Sequence, residues 1–312
     1  AEAATLRVHP GLLLAIPAVG GLVTGLICYW LLPERRPQGV ADAMESAALR
    51  GGLLDLRTGL AAAAASIVSL GTGASVGREG PMIHLGATVG SWLTRTLGLS
   101  ATFSRRMLAC GAAAGVAASF NAPIAGVIFA VEVVVGRYTL HTFAPIVVAS
   151  VAATVLSRLA YGEDVAFMVP EVAIHSYLEL PAFIIVGLLG ALVTIALIRS
   201  ISVVSRGFER LPLPNWLHPA IAGLGVGVIA LAAPQVLGVG YGTTDDALAG
   251  ELPFLLLATI LIAKIAATGL SLGGGLAGGI FSPSLMLGAL TGSLAGSIAA
   301  WLYPDTASPQ AV

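Results

Sequence analysis

Ser75-Val76-Gly77-Arg78-Glu79-Gly80-Pro81 places a carboxylate between glycines in a chain that otherwise avoids charge. An acid in an apolar, lipid-embedded segment is costly, so it usually handles ions or protons. The residues around Glu79 break one helix and start another, because Pro81 suits a first helical turn. The first N–H groups of a helix lack intrahelical partners. The helix dipole favours negative charge there by roughly 0.3–1 kcal/mol, or about 2 kcal/mol when partly buried. Arg78, Glu79 and Gly80 therefore offer a seat for an anion, and a carboxylate able to compete for it. A modest attraction suits an ion that must also leave. The competing structural reading is a buried Arg78–Glu79 pair. Adjacent residues on a helix do not face each other, so Arg78 is expected to find another partner.

A second break has the same character: Gly273-Gly274-Gly275-Leu276-Ala277-Gly278-Gly279-Ile280-Phe281-Ser282-Pro283. Proline again follows the glycines, and the amides of Ile280 and Phe281 are candidates for the same anion. Gly273, Gly275 and Gly278 also satisfy G-x-G-x-x-G, but the dinucleotide reading fails. No strand pattern precedes them, and no acid lies about 20 residues on. Two unwound breaks in separate parts of one membrane chain predict paired half-helices meeting near the midplane. Gly86, Gly90, Gly111 and Gly115 read instead as sites of close helix packing.

These residues must be held by membrane helices. Of 312 residues, 57% are hydrophobic and only 10% charged, against about a quarter charged in soluble domains. Mean hydropathy is +0.94. No Asp, Glu, Lys or Arg occurs from Leu211 through Thr244 or from Ile265 through Pro304. The chain reads as an all-α, multi-pass membrane protein of the cell membrane, without a soluble domain. Helices are expected at Leu12–Leu32, Val40–Leu49, Leu60–Leu70, Pro81–Leu97, Arg106–Ser119, Pro123–Val135, Phe143–Leu159, Pro181–Val204, Trp216–Val236, Leu252–Ser271 and Ile280–Tyr303. The longest polar connector is Ala160–Glu179. Arginines near Arg35–Arg57, Arg95–Arg106 and Arg199–Arg210 mark candidate cytoplasmic ends.

A net charge of -1 gives no basic footprint for nucleic acid. Cys28 and Cys110 lie in apolar segments and read as packing residues. His9, His84, His141, His175 and His218 are scattered without metal-ligand spacing, so no metal site and no intramembrane enzyme is expected. His84 reads as a helix-face histidine before a proton relay. Lys264, the only lysine, reads as snorkelling or paired. Asp245 and Asp246 read as a solvated helix start.

Ser75–Pro81, together with GAAAGVAASFNAPIAGVIFAVE at Gly111–Glu132 and GGIFSPSLMLGA at Gly278–Ala289, resembles the CLC family of chloride channels and proton-coupled chloride exchangers. The resemblance covers nearly the whole chain and implies a bundle of tilted, partly re-entrant helices built on inverted-topology repeats. The first repeat would occupy roughly 1–160 and part of a second 180–312, within a single transmembrane domain. It implies chloride as the transported ligand, protons as a second one, a homodimer in the lipid bilayer and no cofactor. By the resemblance Glu79 is the gate and proton acceptor. It holds the anion position when ionised and swings away when protonated. Ile280 and Phe281 bring amides to the anion.

The chain departs from the family in several places. Where the family has GSGIP with a serine donor, the matching residues are Pro37-Gln38-Gly39-Val40-Ala41. Gln38 and Gly39 are then the expected anion-binding residues, and selectivity among chloride, nitrate and other anions is open. The fluoride-selective branch departs from GREGP at its last residue, whereas Pro81 is kept. Many exchangers carry an internal glutamate that aligns with Val133, so Glu79 permits proton coupling while Val133 removes the usual inner acid. Glu132 then reads as a structural acid near the subunit interface. Further helices are implied at both ends, so the chain reads as the middle of a transporter. The family's inner tyrosine is matched by neither Tyr241 nor Tyr303. The other classes weighed are a non-transporting membrane scaffold or fragment and a transporter of another anion.

Overall fold

The computed structural model describes residues 9–136, 138–163, 167 and 180–302. Among them the backbone is helical apart from turns and one isolated β-bridge. Helix is forced by the surroundings, since a backbone in lipid must satisfy its own hydrogen bonds. The helices are α1 (Pro10–Leu31), α2 (Val40–Leu49), α3 (Leu56–Gly71), α4 (Glu79–Thr96), α5 (Ala101–Phe120) and α6 (Pro123–Phe129). They continue as α7 (Leu140–Tyr161), α8 (Leu180–Glu209), α9 (His218–Ala232), α10 (Tyr241–Leu248), α11 (Phe254–Gly273) and α12 (Phe281–Leu302). Helix α6 runs on as a π-helical turn, Ala130–Val135.

Among the described residues six helices are long and apolar enough to cross a membrane: Pro10–Leu31, Leu140–Tyr161, Pro181–Glu209, Asn215–Ala232, Phe254–Gly273 and Phe281–Trp301. The chain is a multi-pass membrane protein. Leu159, Ile184, Leu188 and Leu192 turn outward on α7 and α8, as a lipid-facing surface requires. Ala160–Glu179 lies mostly outside the described residues, as do His175 and Tyr303.

The expected helix at Val40–Leu49 is found with those bounds. The expected helix at Trp216–Val236 is split into α9 and a 3₁₀ turn, Pro234–Val236. Pro234 lacks the amide needed to continue. Helix α10 went unread. Asp245 and Asp246, expected at a solvated start, sit half-buried inside it, and the helix opens at Tyr241 instead.

One building plan occurs twice. Helices α1, α2, α3 and α4 recur in order as α9, α10, α11 and α12, with a glycine-rich break before the last member of each set. Helix α3 ends at Gly71 and α11 at Gly273. The Thr72 amide then bonds back to Val68 O (3.0 Å), as that of Gly274 does to Leu270 O (2.9 Å). A glycine at positive φ follows in each, Gly73 (95°) and Gly275 (85°). The next amide reaches a serine carbonyl: Ala74 N to Ser69 O (3.0 Å), Leu276 N to Ser271 O (2.8 Å). Packing repeats too. Helix α1 lies on α3 as α9 lies on α11, α2 on α4 as α10 on α12, and α1 and α9 lie on each other.

Helices α4 and α5 pack closest through the small residues expected to do so. A Cβ on Gly86 would lie 2.2 Å from Gly111 O, one on Gly111 1.9 Å from Gly86 O, and one on Gly90 2.1 Å from Met107 O. Small residues let backbones approach where lipid supplies no hydrophobic drive between helices. Cys28 and Cys110 are buried free thiols, as expected.

Candidate functional site

The two breaks meet. Gly77 N donates to Gly279 O and Gly279 N to Gly77 O, both at 2.7 Å, as an antiparallel bridge. The helix starts that follow, Glu79 on α4 and Phe281 on α12, are thereby fixed beside each other. A Cβ on Gly279 would lie 2.8 Å from Gly80 N, so glycine is required by close approach. The sequence expectation of paired half-helices is met in this geometry.

Glu79 is fully buried at this junction. Its side chain folds back over Gly77, where a Cβ would lie 2.5 Å from Oε2. Oε1 accepts from the Ser282 hydroxyl (2.5 Å) and from the Tyr241 hydroxyl (2.7 Å). Oε2 is buried and accepts from no donor among the described residues. A buried carboxylate oxygen without a donor is expensive, and packing alone does not account for it.

Arg78 does find other partners, as the sequence predicts. Nη2 donates to Ser119 O on α5 (3.2 Å), and the guanidinium lies 5.1 Å from the centre of the Tyr241 ring. Nε stands 4.0 Å from Glu79 Oε1, with the arginine half-exposed. The cation therefore stands beside the carboxylate without closing on it. The Tyr241 ring is further fixed edge-on by Phe167, at 5.0 Å between centres.

Arg78, Glu79, Gly80, Ile280 and Phe281 are thus brought together, and the Phe281 ring packs edge-on against Phe129 at 5.6 Å. Gly39 departs from the expectation. The Gly39 amide, predicted to face an anion, donates to Asp42 Oδ2 at 2.7 Å, while Oδ1 accepts from Arg36 at 2.8 Å. The helix has capped its own first amide with an acid three residues on. Gln38 is half-buried and lines a cavity of about 340 Å³ with Arg50, Thr58, His84 and Arg95, a lining that does not include Glu79. His84 is buried and its Nε2 has no partner among the described residues. Glu132 and Val133 are exposed on the π-helical turn.

Sequence reasoning missed Ser282 and Tyr241. Ser282 stands inside the second break and could have been read as a hydroxyl on the first turn of α12. Tyr241 was set aside because it does not match an inner tyrosine. Its usable signal was positional, since Gly240-Tyr241 opens α10 as Gly39-Val40 opens α2. Lys264, read as snorkelling or paired, is the paired kind: it is fully buried on α11, donating to Val236 O and Gly238 O at 3.0 Å each.

Half-helices that break and converge on one buried carboxylate define a secondary-transporter or channel architecture. The model for the voltage gated chloride channel family matches residues 20–312, and the chain belongs to that family. It is 36% identical over 276 residues to a ClcB-like chloride channel protein of Ralstonia nicotianae, covering 87% of this chain and 64% of that protein. It is 33% identical over 295 residues to chloride channel protein CLC-e of Arabidopsis thaliana, spanning 40% of its length. In fold it is similar to a slow cyanobacterial Cl⁻/H⁺ antiporter (TM-score 0.83, 24% identity, 94% of this chain and 70% of that one). It is also similar to a CLC-type fluoride/proton antiporter (TM-score 0.71, 24% identity, 94% and 81%).

Proposed function

We propose that the chain forms the anion-gating part of a membrane chloride transporter, with Glu79 as gate and proton acceptor. The observation that carries this is the seat of its carboxylate. Glu79 lies fully buried between the starts of α4 and α12, with Oε1 held by two hydroxyls and Oε2 without a donor among the described residues. Donors that hold a carboxylate can hold an anion, because both accept hydrogen bonds from O–H and N–H groups at helix starts. Ionised, Glu79 fills the seat. Protonated, it gains a donor of its own, loses its attraction to Arg78, and can yield the seat. Oε2 is the atom that takes the proton, since Oε1 is already doubly engaged. Arg78, Gly80 and the Ile280 and Phe281 amides complete the anion surroundings in this reading.

The relatives and structural neighbours, chloride channels and a chloride/proton antiporter, support chloride with protons as the second ligand. Pro81, kept after Gly80, favours chloride over the fluoride branch. The recurrence of α1–α4 as α9–α12 supports a first repeat within about 1–160 and part of an inverted second one within 180–312. The homodimer is inferred from the family resemblance and is tested by the mass of the detergent-purified protein.

The seat itself is tested by calorimetric titration of chloride into purified protein. Glu79→Gln removes the competing charge, so chloride binds with larger heat or higher affinity. Equal binding before and after substitution contradicts the seat.

A further inference from the structure

Tyr241 belongs to none of the anion-contacting segments recognised in the sequence, yet its hydroxyl reaches the gate across 162 residues of chain separation. Three observations fix it there. Its Oη donates to Glu79 Oε1 at 2.7 Å. Its ring is sandwiched between the Arg78 guanidinium (5.1 Å) and the edge of Phe167 (5.0 Å). Its backbone follows a loop clamped from below, where the Lys264 ammonium binds the carbonyls of Val236 and Gly238. This lysine is fully buried and serves two carbonyls in that loop, and a Cβ on Gly240 would stand 3.5 Å from its Nζ.

The building plan gives this position meaning. Helix α10 stands to α12 as α2 stands to α4. The α2 start, with Gln38 and Gly39, is turned to another cavity and capped by Asp42. The α10 start instead delivers a phenol to the carboxylate. Tyr241 itself lines a cavity of about 570 Å³ bordered by Pro17, Thr72, Gln235 and Thr243, which gives the ring room to move.

We propose that Tyr241 is a latch on the gate: its hydroxyl holds the ionised Glu79 carboxylate in the anion seat, and Lys264 sets the position of that hydroxyl through the loop between α9 and α10. This rests on the reading of Glu79 as gate. The hydroxyl donates to the ionised carboxylate, and a donor to the charged form favours that form. Removing it makes the gate release at higher pH. The other groups that face the carboxylate are Arg78 from its own helix start and Ser282 from α12, whose residues carry no ionisable side chain. His84 lies further along α4, Cys110 on α5, and Lys264 acts through the loop. None of them is altered by Tyr241→Phe.

The test is chloride efflux from liposomes as a function of pH for the unsubstituted protein, Glu79→Gln, Tyr241→Phe and the double variant. Tyr241→Phe is expected to move the pH of half-maximal efflux up by about one to two units, the value of one hydrogen bond to a charged group. In the Glu79→Gln background the same substitution is expected to leave the pH profile unchanged, which a merely structural role would not do. Lys264→Met, which keeps the stem and drops the ammonium, is expected to shift the profile the same way. If Glu79→Gln flattens the profile but Tyr241→Phe overlays the unsubstituted curve, the latch is overturned and the gate stands. If Glu79→Gln leaves the profile as it was, gate and latch fall together.

Discussion

Gly77 and Gly279 exchange both backbone hydrogen bonds at 2.7 Å, and this is the only β-bridge among the described residues. It joins the two helix breaks face to face and sets Glu79 against Ser282. In lipid an unpaired amide or carbonyl is costly, so two broken helices that pair with each other satisfy what each would otherwise leave open. The seat of the Glu79 carboxylate is therefore a property of the junction and not of either break alone.

The junction should tolerate no side chain. Gly279→Ala drives a Cβ to within 2.8 Å of Gly80 N, a backbone atom that cannot step aside. The expected cost is about 1–3 kcal/mol, as for other overpacked sites. It should be read as a lower melting temperature in detergent, together with lost chloride binding. Gly288→Ala is the control. Its Cβ meets nothing within 4 Å, and alanine in a helix interior gains up to about 1 kcal/mol over glycine.

Acid sensitivity has a separate local source. Asp55 caps α3, accepting the Thr58 amide (3.0 Å) and hydroxyl (3.1 Å). The Thr58 amide, more than Arg95 or Arg57, holds its carboxyl below the usual carboxylate range. A carboxyl depressed in the folded state stabilises above its ordinary titration range, and that contribution is lost as pH falls through the folded value. Asp55→Ala should therefore cost about 1 kcal/mol at neutral pH, the usual worth of such a cap. The difference from the unsubstituted protein should vanish in acid. Melting temperatures taken across pH 2–7 check this.

Gln38 should affect which anion passes more than when the gate opens. It lines the cavity beside His84 and not the Glu79 seat. Gln38→Ser is expected to change the ratio of nitrate to chloride efflux several-fold while the pH of half-maximal efflux stays put. A shifted pH profile with an unchanged anion ratio would place Gln38 on the gate instead.

Much of this site was legible because its parts are local. Glycine, then proline, then an apolar run announces a new helix start, and both breaks carry that signature within a dozen residues. Glu79 is conspicuous in sequence because charge is scarce around it. What could not be read depends on distant contacts. The Tyr241 hydroxyl and the Ser282 hydroxyl reach Glu79 across 162 and 203 residues. The Lys264 clamp joins α11 to carbonyls whose direction depends on a 3₁₀ turn that ends α9's segment. Gly39 failed for the opposite reason. Its competitor, Asp42, was nearby and visible, and the family pattern drew attention to the amide before its own helix could claim it.

The central claim is that the Glu79 carboxylate gates the anion seat and carries the proton. The direct measurement is chloride efflux from liposomes with simultaneous proton uptake, for the unsubstituted protein and Glu79→Gln. The account predicts pH-dependent efflux in the former. It predicts that Glu79→Gln abolishes both the pH dependence and any proton movement driven by the chloride gradient. Chloride efflux that is indifferent to pH and unaltered by Glu79→Gln would contradict it.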